Sequence, residues 1–221
     1  MKGFDRMFDP AVQEAIRSKL GGREMDPAAL RKFDGLTVSH ARRLSGVGAV
    51  ENLRFLILAG CDLGSLDEVD RLRGLGTLAV SDTVIGSVQS LVHLDVHTVT
   101  AERSELLDIS PLLQCQGLVE VSLKGTALSD ESYRSVIPEL IASGCTVHLP
   151  SDLERELITK MRENGIPFSY YQSRKGYRLC RPGLKYTETP EVNHPVISPD
   201  ELQRMLLSAP ESIWRLFSES I

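Results

Sequence analysis

The chain has 221 residues, 42% of them hydrophobic but only 5% aromatic, so it can bury a continuous core built from Leu, Val and Ile in thin layers. A formal net charge of −5 gives no general attraction to phosphate backbones or anionic lipid, which leaves nucleic acid and membrane surfaces as disfavoured partners. The first ten residues include Lys2, Asp5, Arg6 and Asp9 and hold no apolar run long enough for a signal peptide, so a cytoplasmic location is expected.

In chain order, Asp9 and Pro10 ahead of the stripe Val12, Ile16 and Leu20 predict a capped amphipathic helix, and Phe8 to Gly21 with Met25 to Leu36 reads as a helical opening. Aligning the chain on itself then exposes a repeat. Leu53-x-x-Leu56-x-Leu58-x-x-Cys61 returns as Leu75-x-x-Leu78-x-Val80-x-x-Thr83, as Leu91-x-x-Leu94-x-Val96-x-x-Val99 and as Leu118-x-x-Val121-x-Leu123-x-x-Thr126. Degenerate copies stand at Phe33-x-x-Leu36-x-Val38 and around Val147 and Leu149, which makes six rungs. The steps between positions 36, 56, 78, 94, 121 and 147 are 20, 22, 16, 27 and 26 residues. The 16-residue step leaves room for an extended return only, whereas the longer steps accommodate helical patterns such as Ser129 to Ser143.

This pattern resembles the leucine-rich-repeat family, with Cys61 and Leu63 matching the last part of its L-x-x-L-x-L-x-x-N/C-x-L motif, over roughly residues 10 to 150. The opening is similar to the helical cap of bacterial internalin-like repeats. Thr83, Val99 and Thr126 stand where the family carries Asn or Cys; threonine can still bond a neighbouring turn, and valine cannot. The resemblance implies an α/β solenoid with a curved parallel β-sheet. Through the ribonuclease-inhibitor-like members it also implies a protein partner such as a toxin, held by a dedicated immunity protein.

Elementary geometry leads to the same architecture. Residues two apart in a strand share a face, so Leu56, Leu58, Leu78, Val80, Leu94, Val96, Val121 and Leu123 are expected to point inward. A single rung buries too little to offset chain entropy, so the rungs must stack and the ends must be covered. The competing reading is an ordinary α/β domain with coincidental leucine spacing. The expected organisation is a cap over residues 1–35, a solenoid over 36–150 and an α+β appendage over 151–221.

In the appendage, Ser151-x-x-Glu154 is a capping box opening a helix that runs to Gly165. Pro167 to Tyr171 and Tyr177 to Cys180 flank Ser173-Arg174-Lys175-Gly176 as a hairpin would. Pro182 to Pro199 holds four prolines and reads as a loop; short helices follow from Ser198 and from Pro210, the last carrying Trp214, Leu216 and Phe217. Tyr170, Tyr171, Tyr177 and Tyr186 lie among Arg174, Lys175, Arg178, Arg181 and Lys185, which raises an adaptor with a nucleic-acid-binding hairpin as one alternative. Packing of a small sheet explains the same tyrosines, and residues 151–221 carry ten basic and ten acidic side chains.

Alternation leaves the residues between the motif leucines on the open, concave surface, and these form the candidate partner-binding site. They are Phe55, Ile57, Thr77, Ser81, His93, Asp95, His97, Glu120, Ser122 and Lys124, with Thr37, Ser39, Ala79, Thr146 and His148 beside them. Phe55 and Ile57 are the apolar anchors; the far end is charged. His93, Asp95 and Glu120 raise a second alternative, a metal-binding protein or enzyme. His93 and His97 would lie about 13 Å apart along a strand, near the limit for one ion. There is no G-x-S-x-G, P-loop, G-x-G-x-x-G or H-E-x-x-H, and Gly46-Val47-Gly48 reads as a turn, so no catalytic residues and no cofactor are expected. Cys61, Cys115, Cys145 and Cys180 lack any C-x-x-C pairing and read as buried free thiols.

Overall fold

The computed structural model describes residues 7–183 and 194–220, the side chains of 218–220 excepted. At the N-terminal end, helix α1 (Pro10–Leu20) starts because the Asp9 carboxylate accepts the Ala11 N–H and proline supplies a preset first turn; Val12, Ile16 and Leu20 are its buried stripe. The Asp9 N–H bonds Ser45 O, which docks this end on the first coil. The second helical segment is shorter than expected: α2 covers Pro27–Leu30 only, and strand β1 already begins at Gly35.

Strands β1 (Gly35–Ser39) and β2 (Phe55–Ala59) are followed by the two-residue β3 (Asp62–Leu63), then β4 (Thr77–Ser81), the short β5 (Val84–Ile85), β6 (Thr98–Glu102) and β7 (Glu120–Ser122). After helix α3 (Ile137–Ala142) comes β8 (Thr146–His148). Six of these strands form one parallel sheet in the order β1-β2-β4-β6-β7-β8, while β3 and β5 form a second parallel ladder beyond the strand ends. This is a leucine-rich-repeat solenoid. In register, Leu36, Leu56, Leu78, Val99, Val121 and Val147 stack rung on rung. All but Val147 are buried, within one continuous apolar cluster that also takes in the α1 stripe.

That register corrects the fourth rung. Its strand is Thr98–Glu102, with Val99 beside Leu78 and Ala101 beside Val80, so the aligned motif is Val96-x-x-Val99-x-Ala101-x-x-Ser104. The N–H groups of His97 and Thr98 both bond Gly76 O, as those of Gly76 and Thr77 bond Arg54 O and those of Val119 and Glu120 bond His97 O. With Val99 in place, the steps along the stack become 20, 22, 21, 22 and 26 residues, and the 16-residue anomaly disappears. Leu94 and Val96 are buried as expected, but ahead of the strand rather than in it. The false phase has a physical cause. The return segment, built round a short 3₁₀ turn at Gln89–Leu91, buries Ile85, Val88, Leu91 and Leu94 at intervals of three, and that spacing imitates L-x-x-L.

The turns after β4, β6 and β7 carry a hydroxyl ladder. The Cys61 N–H bonds Thr83 Oγ1 at 3.0 Å, the Thr83 N–H bonds Ser104 Oγ and the Ser104 N–H bonds Thr126 Oγ1, both at 3.4 Å. Each hydroxyl also donates to a strand carbonyl: Thr83 to Ser81, Ser104 to Glu102 and Thr126 to Ala101. Ser104 therefore fills the position assigned to Val99. The residue before each ladder position is left-handed: His40, Gly60, Asp82, Arg103 and Gly125 have φ between 51° and 66°. Two of the five are glycine; His40, Asp82 and Arg103 hold that conformation with side chains attached.

In the helical stretch expected from Ser129, a π turn over Ser132–Val136 precedes α3, because Pro138 has no N–H to continue a regular α ladder back to Arg134. The chain then forms α4 (Asp152–Glu163), opened by the Ser151 and Glu154 capping box. The hairpin β9 (Ser169–Ser173) and β10 (Gly176–Cys180) follows, then α5 (Pro199–Ser208) and a 3₁₀ segment over Pro210–Ser220. Glu154 also reaches beyond its own helix, where its Oε1 accepts the Gln172 N–H at 2.6 Å and fixes the hairpin to α4. Most of the loop expected over 182–199 lies outside the described residues, as do Lys185 and Tyr186. A second buried cluster, centred on Phe168 and Tyr170 and including Ala127, joins these elements, and Arg162 Nη1 bonds Leu128 O across the junction.

Candidate functional site

The open face of the sheet is built by strand alternation. Leu56 and Leu58 turn inward, which leaves Phe55 and Ile57 51% and 43% exposed. A groove of about 540 Å³ runs beside them, lined by Ala15 and Lys19 of α1 and by Gly35, Thr37, Phe55 and Ile57. Thr77, Ala79 and Ser81 continue the face half-exposed on β4. On β6 the open positions are Thr98, Thr100 and Glu102, none of which figures in the sequence-derived site.

His93, Asp95 and His97 are exposed but stand ahead of β6, not on its open face. The His93 carbonyl accepts Arg73 Nη1, and Asp95 is turned onto the backbone at Gly117, where a Cβ would lie 2.2 Å from its Oδ1. Ser122 is on the expected strand but is only 7% exposed, because its hydroxyl donates to Glu102 Oε1 at 2.6 Å. Glu120 is exposed and pairs with His148 Nε2 at 3.1 Å, and Lys124 is exposed two residues past the end of β7. The face thus runs from an apolar end at β2 to a predominantly acidic one at β6 and β7.

Nor do His93, Asp95 and Glu120 converge as metal ligands. Among the described residues, the group whose ligand atoms come within 4.8 Å of one another is Asp82, Cys180 and His194, all buried. It lies where β10 crosses the turns after β4 and β6. Asp82 Oδ1 accepts Arg103 Nε at 2.7 Å and the Cys180 thiol at 3.4 Å, while Asp82 Oδ2 is buried with no hydrogen-bond partner among the described residues. Burial favours the neutral form of Arg103, but the charge of Asp82 and its hydrogen bond outweigh this and hold the guanidinium firmly protonated. Burial, reinforced by the negative charge of Asp82, pushes the Cys180 thiol well above its ordinary range. A thiol so placed is not an activated nucleophile. The Arg103 guanidinium also lies over the Tyr171 ring, whose hydroxyl meets His194 Nδ1 at 2.8 Å.

Sequence reasoning misses this cluster, although a signal exists. Once the repeats are in phase, Asp82 and Arg103 occupy the left-handed turn position that Gly60 and Gly125 fill in other coils. A charged residue held at positive φ costs on the order of 1 kcal/mol, so its side chain has some compensating engagement.

The four cysteines are buried and none is in a disulfide. In the hairpin, Tyr170 and Tyr171 are buried, Tyr170 donates to Ile197 O, and Arg181 covers the Trp214 ring; the two buried tyrosines offer no open face on which a base could stack. No helix among the described residues is long and apolar enough to cross a membrane.

No protein-family model matches the chain, and no curated protein matches it. Among solved structures it is similar to an internalin (inlF) from Listeria monocytogenes, at 16% identity and a TM-score of 0.34, covering 66% of this chain and 57% of that one. It is also similar to internalin C2 from the same organism, at 16% identity and a TM-score of 0.33, covering 67% of this chain and 95% of that one. The chain thus spans a little over half the length of the first of these internalins.

Proposed function

We propose that this chain is a non-enzymatic protein-interaction module that holds a partner protein on the open face of its six-stranded sheet. The observation that carries this reading is the pair Phe55 and Ile57, two large apolar side chains left exposed next to each other beside an open groove. Such residues serve as anchors, since a partner that covers them removes apolar surface from water. Glu102 and Glu120 farther along the face favour a partner whose apolar contact is flanked by basic groups. An immunity protein shielding a basic toxin is the narrower form of the same proposal. A cytoplasmic setting belongs with it, because four unpaired thiols suit a reducing compartment.

The test is capture of the partner by wild-type chain and by Ile57→Glu, Phe55→Ala and Gln89→Glu, with unfolding midpoints measured in parallel. Removing a central aromatic anchor costs about 2 kcal/mol, so Phe55→Ala is expected to weaken binding roughly 30-fold and Ile57→Glu at least as much. Gln89→Glu places the same charge on an exposed return segment and leaves binding intact. Retention by Ile57→Glu, or equal loss from Gln89→Glu, would move the interface off this face.

A further inference from the structure

We propose that Asp82, Cys180 and His194 form a binding site for one divalent transition-metal ion, zinc by the chemistry of the donors, which fastens the hairpin to the turns of the solenoid. A carboxylate, a thiol and an imidazole supply the O, S and N ligands that zinc takes, and one ligand atom from each already lies within 4.8 Å of the others. Cys180 Sγ lies 3.4 Å from Asp82 Oδ1, so the thiol and the carboxylate already face one another. The three ligands leave one tetrahedral position to water or a backbone oxygen.

The independent observation is Asp82 itself. The residue is 2% exposed, yet its Oδ2 has no hydrogen-bond partner among the described residues, a costly state for a buried carboxylate oxygen. Its Oδ1 is held by Arg103 Nε at 2.7 Å, so the carboxylate is oriented by one oxygen while the other remains for an ion. The imidazole is oriented too. Its Nδ1 meets the Tyr171 hydroxyl at 2.8 Å, a contact that holds the ring in place as an outer-shell partner does for a ligating histidine.

Binding of a dication displaces the Cys180 proton to solvent and forms the metal–sulfur bond.

The experiment uses the full chain, dialysed against chelator and titrated with cobalt(II) as the spectroscopic probe. A stoichiometric near-ultraviolet sulfur-to-cobalt band with intense tetrahedral visible bands is expected, bleached by one equivalent of zinc. Cys180→Ser should abolish the sulfur band, while Cys115→Ser, which alters a buried thiol elsewhere, should keep it. Zinc should raise the unfolding temperature of wild type and not of Cys180→Ser. If Cys180→Ser does not fold, His194→Gln replaces it, with loss of at least tenfold in cobalt affinity expected. No sulfur band in folded wild-type chain, a band surviving Cys180→Ser, or binding through nitrogen and oxygen ligands alone as an adventitious ion would overturn the assignment.

Discussion

Replacing Thr83 by valine tests the turn ladder with little change in shape. The side chain is fully buried, and its hydroxyl accepts the Cys61 N–H at 3.0 Å and donates to Ser81 O at 2.8 Å. Valine keeps the branched shape and gains a methyl group, worth about 0.8 kcal/mol in apolar burial. Against that, a buried N–H loses its acceptor at a cost of about 1–3 kcal/mol, and a carbonyl loses one of its donors. The net expectation is destabilisation by roughly 2 kcal/mol. Thr83→Ser keeps the hydroxyl and loses only the methyl, so it should cost about 1 kcal/mol or less. The prediction is thus an inversion: the more apolar substitution in a buried site is the worse one. Urea unfolding of the three chains, analysed with a common slope, measures it. A valine variant as stable as the serine variant would refute the ladder as a source of stability.

Two further predictions probe packing and ionisation. In Gly86→Ala the new Cβ would lie 2.2 Å from Gly64 O, a backbone atom that cannot rotate away, whereas a Cβ at Gly64 meets nothing within 4 Å. Gly86→Ala should therefore lose about 1–3 kcal/mol and Gly64→Ala under about 0.5 kcal/mol, measured by thermal or urea unfolding. Burial pushes the Cys115 thiol from an ordinary 9.0 up to about 11. A folded-state pKa raised in this way gives stability that is complete below pH 9 and lost as pH rises through about 11. Wild-type chain should then lose up to about 2 kcal/mol more than Cys115→Ala between pH 8 and pH 11, and equal losses would count against it.

The open face and the junction cluster differ in how far the sequence foretells them. Phe55 and Ile57 are legible because a strand turns its residues alternately to two sides, and their own rung is in phase. His93, Asp95 and His97 are misplaced by sequence because the leucines around them follow the three-residue spacing of the return segment, which one dimension cannot distinguish from the motif. Glu102 is lost to the same slip, and with it the acidic character of the middle of the face.

Short-range periodicity carries most of the architecture. The six rungs, the capped first helix, the Ser151 and Glu154 box and the hairpin all depend on residues within a few positions of one another, so each is written into the order of the amino acids. The phase of β6 is not; it is set by backbone bonds from His97 and Thr98 to Gly76 on the neighbouring coil. Folding in three dimensions also brings Cys180 to Asp82 across 98 residues of chain. No local pattern announces that meeting, because it arises where the hairpin closes over the turns after β4 and β6, and burial there makes each unpaired polar atom consequential.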